Sequence, residues 1–331
     1  MSEKQTDSAQ PKVFSKELMS YGSIAGSEKP ISRVVLGSMA LDAGRLPFSF
    51  SLLDNFVESG GTSLDTAYVY GGGSCEKAVG AWFAERANRE QIYLVGKGAC
   101  TTSCTPDLIA RELSESLDRM QTGYVDLYFM HRDNLALPVS EFVECLNEHL
   151  RAGRMRAFGG SNWTPARLAE ANAYAAEHGL VGFAASSPNF SLALWNEPMW
   201  SDCMTAADLP TRHWYEESGM PLFAWSSQAS GFFTGRFKAE DRATADPEVV
   251  RTWFNEDNFR RLDRAQELAD KYGVTTTQIA LAYVLFQPAL NIYALIGPRT
   301  VDELHSSLEA LSVRLSPAEL KYLNLETDNL T

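Results

Sequence analysis

No stretch of this sequence is apolar for long enough to cross a bilayer. Its longest apolar runs fall far short of the roughly 20 residues a membrane helix needs, and the first thirty residues are polar. A soluble, cytoplasmic protein is the expectation. Cysteine is sparse: Cys75, Cys100, Cys104, Cys145 and Cys203 make an odd count without zinc spacing, which reads as reduced thiols. Histidine is also scarce, and His149, His178, His213 and His305 offer no trio for a metal. Basic charge is the third shortage. Lys and Arg number 29 against 42 Asp and Glu, leaving a net charge of −13 and excluding nucleic acid as an expected partner. An anionic ligand would need a local nest of N–H groups and a few basic side chains. A glycine fingerprint after the first strand-like run is missing too, which counts against an open doubly wound sheet.

The 331 residues, 45% hydrophobic and 21% charged, suffice for one large core. A single domain over 1–331 is expected, with 1–15 as a loose, unpatterned leader. Two short runs then flank the turn-like Gly26-Ser27-Glu28-Lys29-Pro30. Short apolar segments recur near 33–37, 62–65, 92–96, 125–130, 156–160, 182–187, 221–225 and 292–296. Helical periodicity appears at about 105–121, 140–152, 164–178 and 258–272. Thr105-Pro106 and Thr164-Pro165 both read as a cap followed by proline at the first turn. Eight strand signals alternating with helices imply parallel pairing with right-handed crossovers, hence an α/β closed (β/α)8 TIM barrel. Gly71-Gly72-Gly73 reads as a flexible loop. The connections near 191–219 and 232–256 are long enough to act as substrate-side lids or binding loops.

Four polar residues fall where apolar runs stop. Asp65 and Tyr70 follow Thr62-Ser63-Leu64, Lys97 follows Ile92 to Gly96, and His131 follows Val125 to Met130. Successive strands that each deliver chemistry at their C-terminal end build a barrel active site. A tyrosine with an ordinary pKa near 10 is a poor acid, but an adjacent ammonium lowers that value. Lys97 can supply the ammonium, Asp65 can hold it, and His131 can hydrogen-bond a carbonyl oxygen from the other side. Singly, each residue reads as a cap or a packing residue; their order along three strands makes the catalytic reading the stronger one.

At these residues the chain resembles the aldo-keto reductase superfamily. Leu64-Asp65-Thr66-Ala67-Tyr68-Val69-Tyr70-Gly71, with Glu76 beyond, is similar to that family's Asp-Thr-Ala-x-x-Tyr-Gly signature, and Gly96-Lys97 and Met130-His131 fall at matching separations. The resemblance covers about 32 to 325 and implies a (β/α)8 barrel that reduces an aldehyde or ketone with NADPH, or with NADH. It implies Tyr70 as proton donor, Lys97 and Asp65 as its tuning pair and His131 as the orienting group. Ser161 and Asn162 match residues that hold the nicotinamide carboxamide, and Trp225 an aromatic that stacks on the ring. Ser226, Gln228 and Gly231 resemble the pyrophosphate loop, continued by Thr234-Gly235-Arg236. Gly297, Arg299, Thr300, Glu303 and Ser307 resemble the adenosine-phosphate segment, where a helix starting near Thr300 adds dipole. Two positions depart from the pattern. Ser187 stands where the family usually has glutamine, and Glu303 where a basic or neutral polar residue is commoner; a carboxylate there suits a ribose hydroxyl and leaves NADH open. Trp163 and Trp195 are candidates for the substrate wall, and a small-molecule carbonyl compound, sugar-derived by preference, is the expected partner. Nothing in the sequence specifies an oligomer. Two other readings use the same residues: a cofactor-binding redox sensor without turnover, and a Schiff-base lyase built on Lys97. The intact tetrad opposes the first. Asp65, which would keep Lys97 charged, opposes the second.

Overall fold

The computed structural model describes residues 16–330. The leader expected over 1–15 lies outside the described residues. From Val34 onward, short buried strands alternate with helices. Strands β1 (Val34–Gly37), β2 (Ser63–Asp65), β3 (Tyr93–Gly98) and β4 (Val125–Met130) are followed by β5 (Met155–Ser161), β6 (Ala185–Ser187), β7 (Leu222–Ala224) and β8 (Ile292–Ile296). All pair in parallel in chain order, and β8 returns to β1 with Ala294 opposite Val34, closing the barrel. Parallel neighbours cannot be joined by a tight turn, so each strand needs a crossover. Helices α1 (Leu46–Glu58), α2 (Ser74–Arg86), α3 (Pro106–Arg119), α4 (Val139–Arg151), α5 (Pro165–Glu177) and α6 (Leu209–Ser218) serve the first six strands. After β7 come α7 (Pro247–Trp253), α8 (Glu256–Tyr272) and α9 (Thr276–Leu285), and after β8 come α10 (Val301–Glu309) and α11 (Pro317–Leu323).

Alternation along the strands sorts side chains into two cores. Val34, Leu36, Leu64 and Leu94 point outward into the layer beneath the helices. Val35, Tyr93, Val95, Leu127, Phe129, Ala157, Ala185, Phe223 and Tyr293 point inward and form the barrel interior. Phe223 stacks on Tyr293 at 4.7 Å between ring centroids and meets Phe129 edge-on at 5.4 Å, so the waist is packed solid. At the N-terminal end a small hairpin pairs Tyr21–Gly22 with Ile31–Ser32. It drives Ile24 and Ile31 into the interior core, and Ser23 accepts a 3.2 Å hydrogen bond from the Tyr293 hydroxyl. The barrel therefore has a sealed floor and one mouth.

Several expectations sharpen here. The 182–187 run forms a strand only from Ala185, because Asn172 Oδ1 takes the Phe183 N–H at 2.6 Å. The 191–219 connection contains α6, whose Asp208 cap and Pro210 repeat the pattern at Thr105-Pro106. The 232–256 connection contains α7, entered through Asp246 and Pro247. Gly71-Gly72-Gly73 is a tight 3-10 turn, with φ of 55°, 60° and 90°, that leads directly into α2. Helix α9 gave no periodic signal because eight of its residues are buried and no polar face exists.

Gly159 marks the tightest approach within the barrel wall. A Cβ there would collide with the Ala185 carbonyl of the neighbouring strand and with the Phe129 ring. Backbone cannot yield as a side chain can, so Gly159→Ala is expected to cost about 2–3 kcal/mol or more in urea unfolding. A loss below about 0.5 kcal/mol, the usual reach of a harmless surface change, would show that the wall relaxes freely.

Candidate active site

The inward phase of each strand continues into the mouth, and there the chemistry changes from apolar to polar. Asp65 follows Ser63, Lys97 follows Val95, His131 follows Phe129, and Ser161 follows Gly159, each two residues on and so on the same face. Backbone bonds extend the ladder beyond β2 and β4. Thr66 N–H donates to Val95 O at 2.9 Å, Tyr68 N–H to Lys97 O at 2.8 Å and His131 N–H to Gly98 O at 2.7 Å.

The Asp65 carboxylate and Lys97 ammonium are in direct hydrogen-bonded contact, at 2% and 4% exposure. Above them Lys97 Nζ lies 5.4 Å from the Tyr70 ring centroid, and Tyr70 meets His131 edge-on at 6.0 Å. Burial raises the pKa of Asp65, and Lys97 opposes that rise. Tyr70 differs from expectation. Burial, reinforced by the Asp65 charge, holds its pKa well above 10, with Arg132 pulling the other way. The Lys97 ammonium is engaged by Asp65, so Tyr70 rests as a neutral phenol with a proton to give. His131 is pushed well below 6.5 by burial and then by the Lys97 and Arg132 charges, so its ring is neutral, and its buried Nδ1 has no partner.

A second layer of charge fixes the Tyr70 turn. Arg119 Nη1 donates to Tyr68 O and to the fully buried Glu76 Oε2, both at 3.0 Å. The Tyr68 hydroxyl donates to Glu115 Oε2 at 2.7 Å, with the Arg119 guanidinium over its ring. Tyr68 and Glu76 fall within the sequence signature, but Arg119 and Glu115 do not, because they lie on a helix whose periodicity says nothing of a loop two elements away.

The residues expected to hold a cofactor line the other half of the mouth. Ser161 Oγ donates to Ser187 O at 2.8 Å and accepts from Asn162 Nδ2 at 3.1 Å. Asn162 takes the left-handed φ of 61° and accepts Met204 N–H, tying the β6–α6 loop to β5. Ser187 Oγ donates to Phe223 O at 2.9 Å, so this short side chain is turned to the neighbouring strand. Trp225 is held by Asn189 Nδ2, which donates to its carbonyl at 3.1 Å, while its indole Nε1 is buried and unpartnered. Ser226, Ala229, Ser230 and Gly231 all have positive φ, so the loop after Trp225 is a chain of tight turns in which Ala229 N–H donates to Ser226 O at 2.8 Å and Gly231 N–H to Gln228 O at 3.0 Å. Gly297 is open where a Cβ would stand, and Gln228 Nε2 reaches Ser307 Oγ at 3.4 Å, closing the far end of the groove. Together with the orphaned indole, these features fit a nicotinamide dinucleotide. Glu303 Oε2 accepts Arg299 N–H at 2.7 Å while Glu303 N–H is capped by Thr300 Oγ1, so this carboxylate already serves the start of α10.

The two candidate substrate tryptophans part company. Trp163 is 1% exposed and packs on Phe183 at 4.8 Å and Phe142 at 5.9 Å beneath the helices, so it leaves the substrate wall. Trp195 remains at the mouth, 5.9 Å from Trp225; Trp200, 47% exposed, approaches Trp225 at 5.7 Å. Arg132, which sequence reading passed over, adds a cation there, donating to His131 O at 2.8 Å and to Cys203 Sγ at 3.3 Å. Its only signal was adjacency to His131. All five cysteines are free, and no cluster of metal-ligating side chains occurs among the described residues. No helix of the described residues is long and apolar enough to cross a membrane.

Comparison with known proteins agrees with this geometry. Residues 33–325 match the model of the aldo/keto reductase family, and the chain belongs to that family. Relatives include an uncharacterized oxidoreductase, YrpG, of Bacillus subtilis, 28% identical over 92% of this chain and 95% of that protein. Norsolorinic acid reductase A of Aspergillus parasiticus is 30% identical over 83% of this chain and 70% of its own. An NADP(+) aryl-alcohol dehydrogenase of Phanerodontia chrysosporium is 26% identical over 89% and 82%. The same fold is found in a thermostable aldo-keto reductase, Tm1743, solved with the inhibitor epalrestat (TM-score 0.70, 23% identity, 93% of this chain and 99% of that one). The protein is thus an NAD(P)-dependent oxidoreductase that acts on carbonyl groups.

The neutral His131 has a consequence for stability. Its folded pKa lies below the ordinary 6.5, so as pH falls through 6.5 the unfolded chain takes up a proton that the folded chain refuses. Stability is therefore present above that value and lost below it. Urea midpoints between about pH 8 and about pH 5 should fall less steeply for His131→Gln than for the parent; parallel slopes would refute the assignment.

Proposed function

We propose that the protein reduces an aldehyde or ketone to the alcohol, using NADPH in preference to NADH, with Tyr70 as proton donor. The observation that carries this reading is the edge-on meeting of a neutral phenol and a neutral imidazole over a buried Asp65–Lys97 pair. A bound reduced nicotinamide supplies the hydride, and every other demand falls on the protein. Ser161 and Asn162 hold the carboxamide end, and Trp225 offers its ring as the stacking face. The carbonyl oxygen sits between the Tyr70 hydroxyl and His131. As negative charge grows on that oxygen, Tyr70 releases its proton, and the Lys97 ammonium beneath stabilises the phenolate that remains. Asp65 keeps Lys97 charged and in place. The low-dielectric surroundings that raise Tyr70's pKa also strengthen its pairing with Lys97 at that moment.

Trp195 and Trp200, packed against Trp225, provide a wall suited to the face of a ring. Sugar-derived carbonyls and aryl aldehydes both fit it, and the Phanerodontia chrysosporium relative is named an aryl-alcohol dehydrogenase. On this reading the enzyme works in the cytoplasm as a single domain.

Purified protein should consume NADPH against a panel of aldoses, keto-sugars and aryl aldehydes. Tyr70→Phe should lower turnover by about 10²–10⁴-fold with cofactor affinity little changed. Full activity in the variant would instead favour a cofactor-sensing protein or other chemistry. Arg299 stands in the segment expected to meet the 2′-phosphate. Arg299→Ala should therefore weaken NADPH by about tenfold or more, the worth of a charge-assisted bond, and leave NADH nearly unaffected. An equal loss for both cofactors would remove Arg299 from phosphate recognition.

A further inference from the structure

Arg261, in the second turn of α8, is a buried cation without a counter-ion. It is 4% exposed, deeper than Arg264 at 8% or Arg167 at 9%. Those two pair with carboxylates, Arg264 with Asp328 at 3.0 Å and Arg167 with Asp133 at 2.9 Å. Arg261 has no carboxylate within ion-pairing distance among the described residues. Its one hydrogen bond runs from Nη1 to the amide oxygen of Asn258 at 3.3 Å, and its Nε is buried with no partner. A guanidinium withdrawn from water and left unpaired is costly unless something else supplies the negative charge.

The surroundings indicate what that is. Arg261 borders a surface depression of about 390 Å³, lined also by Leu194, Asn196, Asn255, Glu256 and Asp257. This is the N-terminal end of a 17-residue helix, and helical side chains lean back toward that end. Asn255 Oδ1 caps the N–H of Asn258 at 2.7 Å, while the N–H groups of Glu256 and Asp257 carry no hydrogen bond among the described residues. The amides of Asn196 and Asn255 bond to each other at 2.8 Å and make the wall rigid. The Glu256 and Asp257 side chains are exposed, and Arg260 donates to Asp257 at 3.1 Å, which reduces the local negative charge. The Arg261 guanidinium, two free amides and the positive end of a helix border one space.

We propose that this depression binds a small oxyanion, phosphate or carboxylate, through Arg261 and the N–H groups of Glu256 and Asp257. Planar bidentate pairing suits either anion, and the helix end favours negative charge. The site stands apart from the reaction centre and independent of the proposed reaction. It does share a wall with it: Leu194 and Asn196 flank Trp195, whose ring leans on Trp225. An anion there would brace the loop that carries Trp195.

Thermal unfolding of the full chain in rising inorganic phosphate or acetate, with ionic strength balanced by sodium chloride, tests the assignment. Parent protein and Arg299→Ala should both gain in Tm with at least one of the two anions, which separates this site from the cofactor groove. The anion that acts identifies the source. Arg261→Met replaces a buried cation with an apolar chain of similar length and should fold, yet need about tenfold more anion, or greater, for half the effect. Arg261→Lys should fall between, and it carries the comparison if the methionine variant fails to fold. An undiminished gain in Arg261→Met, a gain abolished by Arg299→Ala instead, or no gain in the parent with either anion would overturn the proposal.

Discussion

A closed barrel gives the alternate side chains of all eight strands one shared interior, and that constraint organises everything else in the molecule. A strand cannot turn its apolar face inward without committing every second residue beyond it to the same direction. Tyr93 and Val95 pack the waist, so Lys97 must enter the mouth; Leu127 and Phe129 do the same for His131. The polar residues are held in place by the packing below them, not by their own contacts alone. The hydrophobic filling and the chemistry are successive layers of one column.

That column ends in a compromise between burial and charge. Asp65 and Lys97 sit where an isolated ion would be strongly disfavoured, and each is tolerable only because the other is present. The same withdrawal from water that makes the pair expensive raises Tyr70's pKa and lowers His131's, so the resting mouth presents two neutral hydrogen-bonding groups over a matched ion pair. Around it a second ionic cluster, Glu76, Arg119 and Glu115, fixes the turn that carries Tyr70. Helix α3 thereby helps position a residue from the loop after β2.

The architecture was legible in the sequence because its signals are local. Strands announce themselves as apolar runs, and cap-plus-proline entries mark α3 and α5. The order Asp65, Tyr70, Lys97, His131 survives translation into space because parallel strands keep chain order around a barrel. Features set by partners distant in the chain were not legible. Trp163 follows Asn162 directly and looked like a mouth residue; Phe142 and Phe183 draw it under the helices. Lys97 was expected to acidify Tyr70, but whether an ammonium is free to act depends on what already holds it. Glu303 looked like a ligand discriminator from its position, whereas its bond to Arg299 N–H belongs to the helix entry. Arg261 lay unnoticed within a charged helical face, since depth is invisible to periodicity when the buried residue is itself charged.

The hairpin beneath the barrel has a further meaning for turnover. With Ile24 and Ile31 pressed into the interior, the end of the barrel below the polar layer is filled with apolar side chains among the described residues. On the proposed chemistry Tyr70 surrenders one proton per cycle, and its replacement has to arrive by the route that substrate and product use. Reprotonation then competes for the doorway with ligand exchange, and the acid is reset between visits by the bulk solvent. A barrel open at both ends could recharge its acid while still occupied; this one works like a vessel filled and emptied through a single neck.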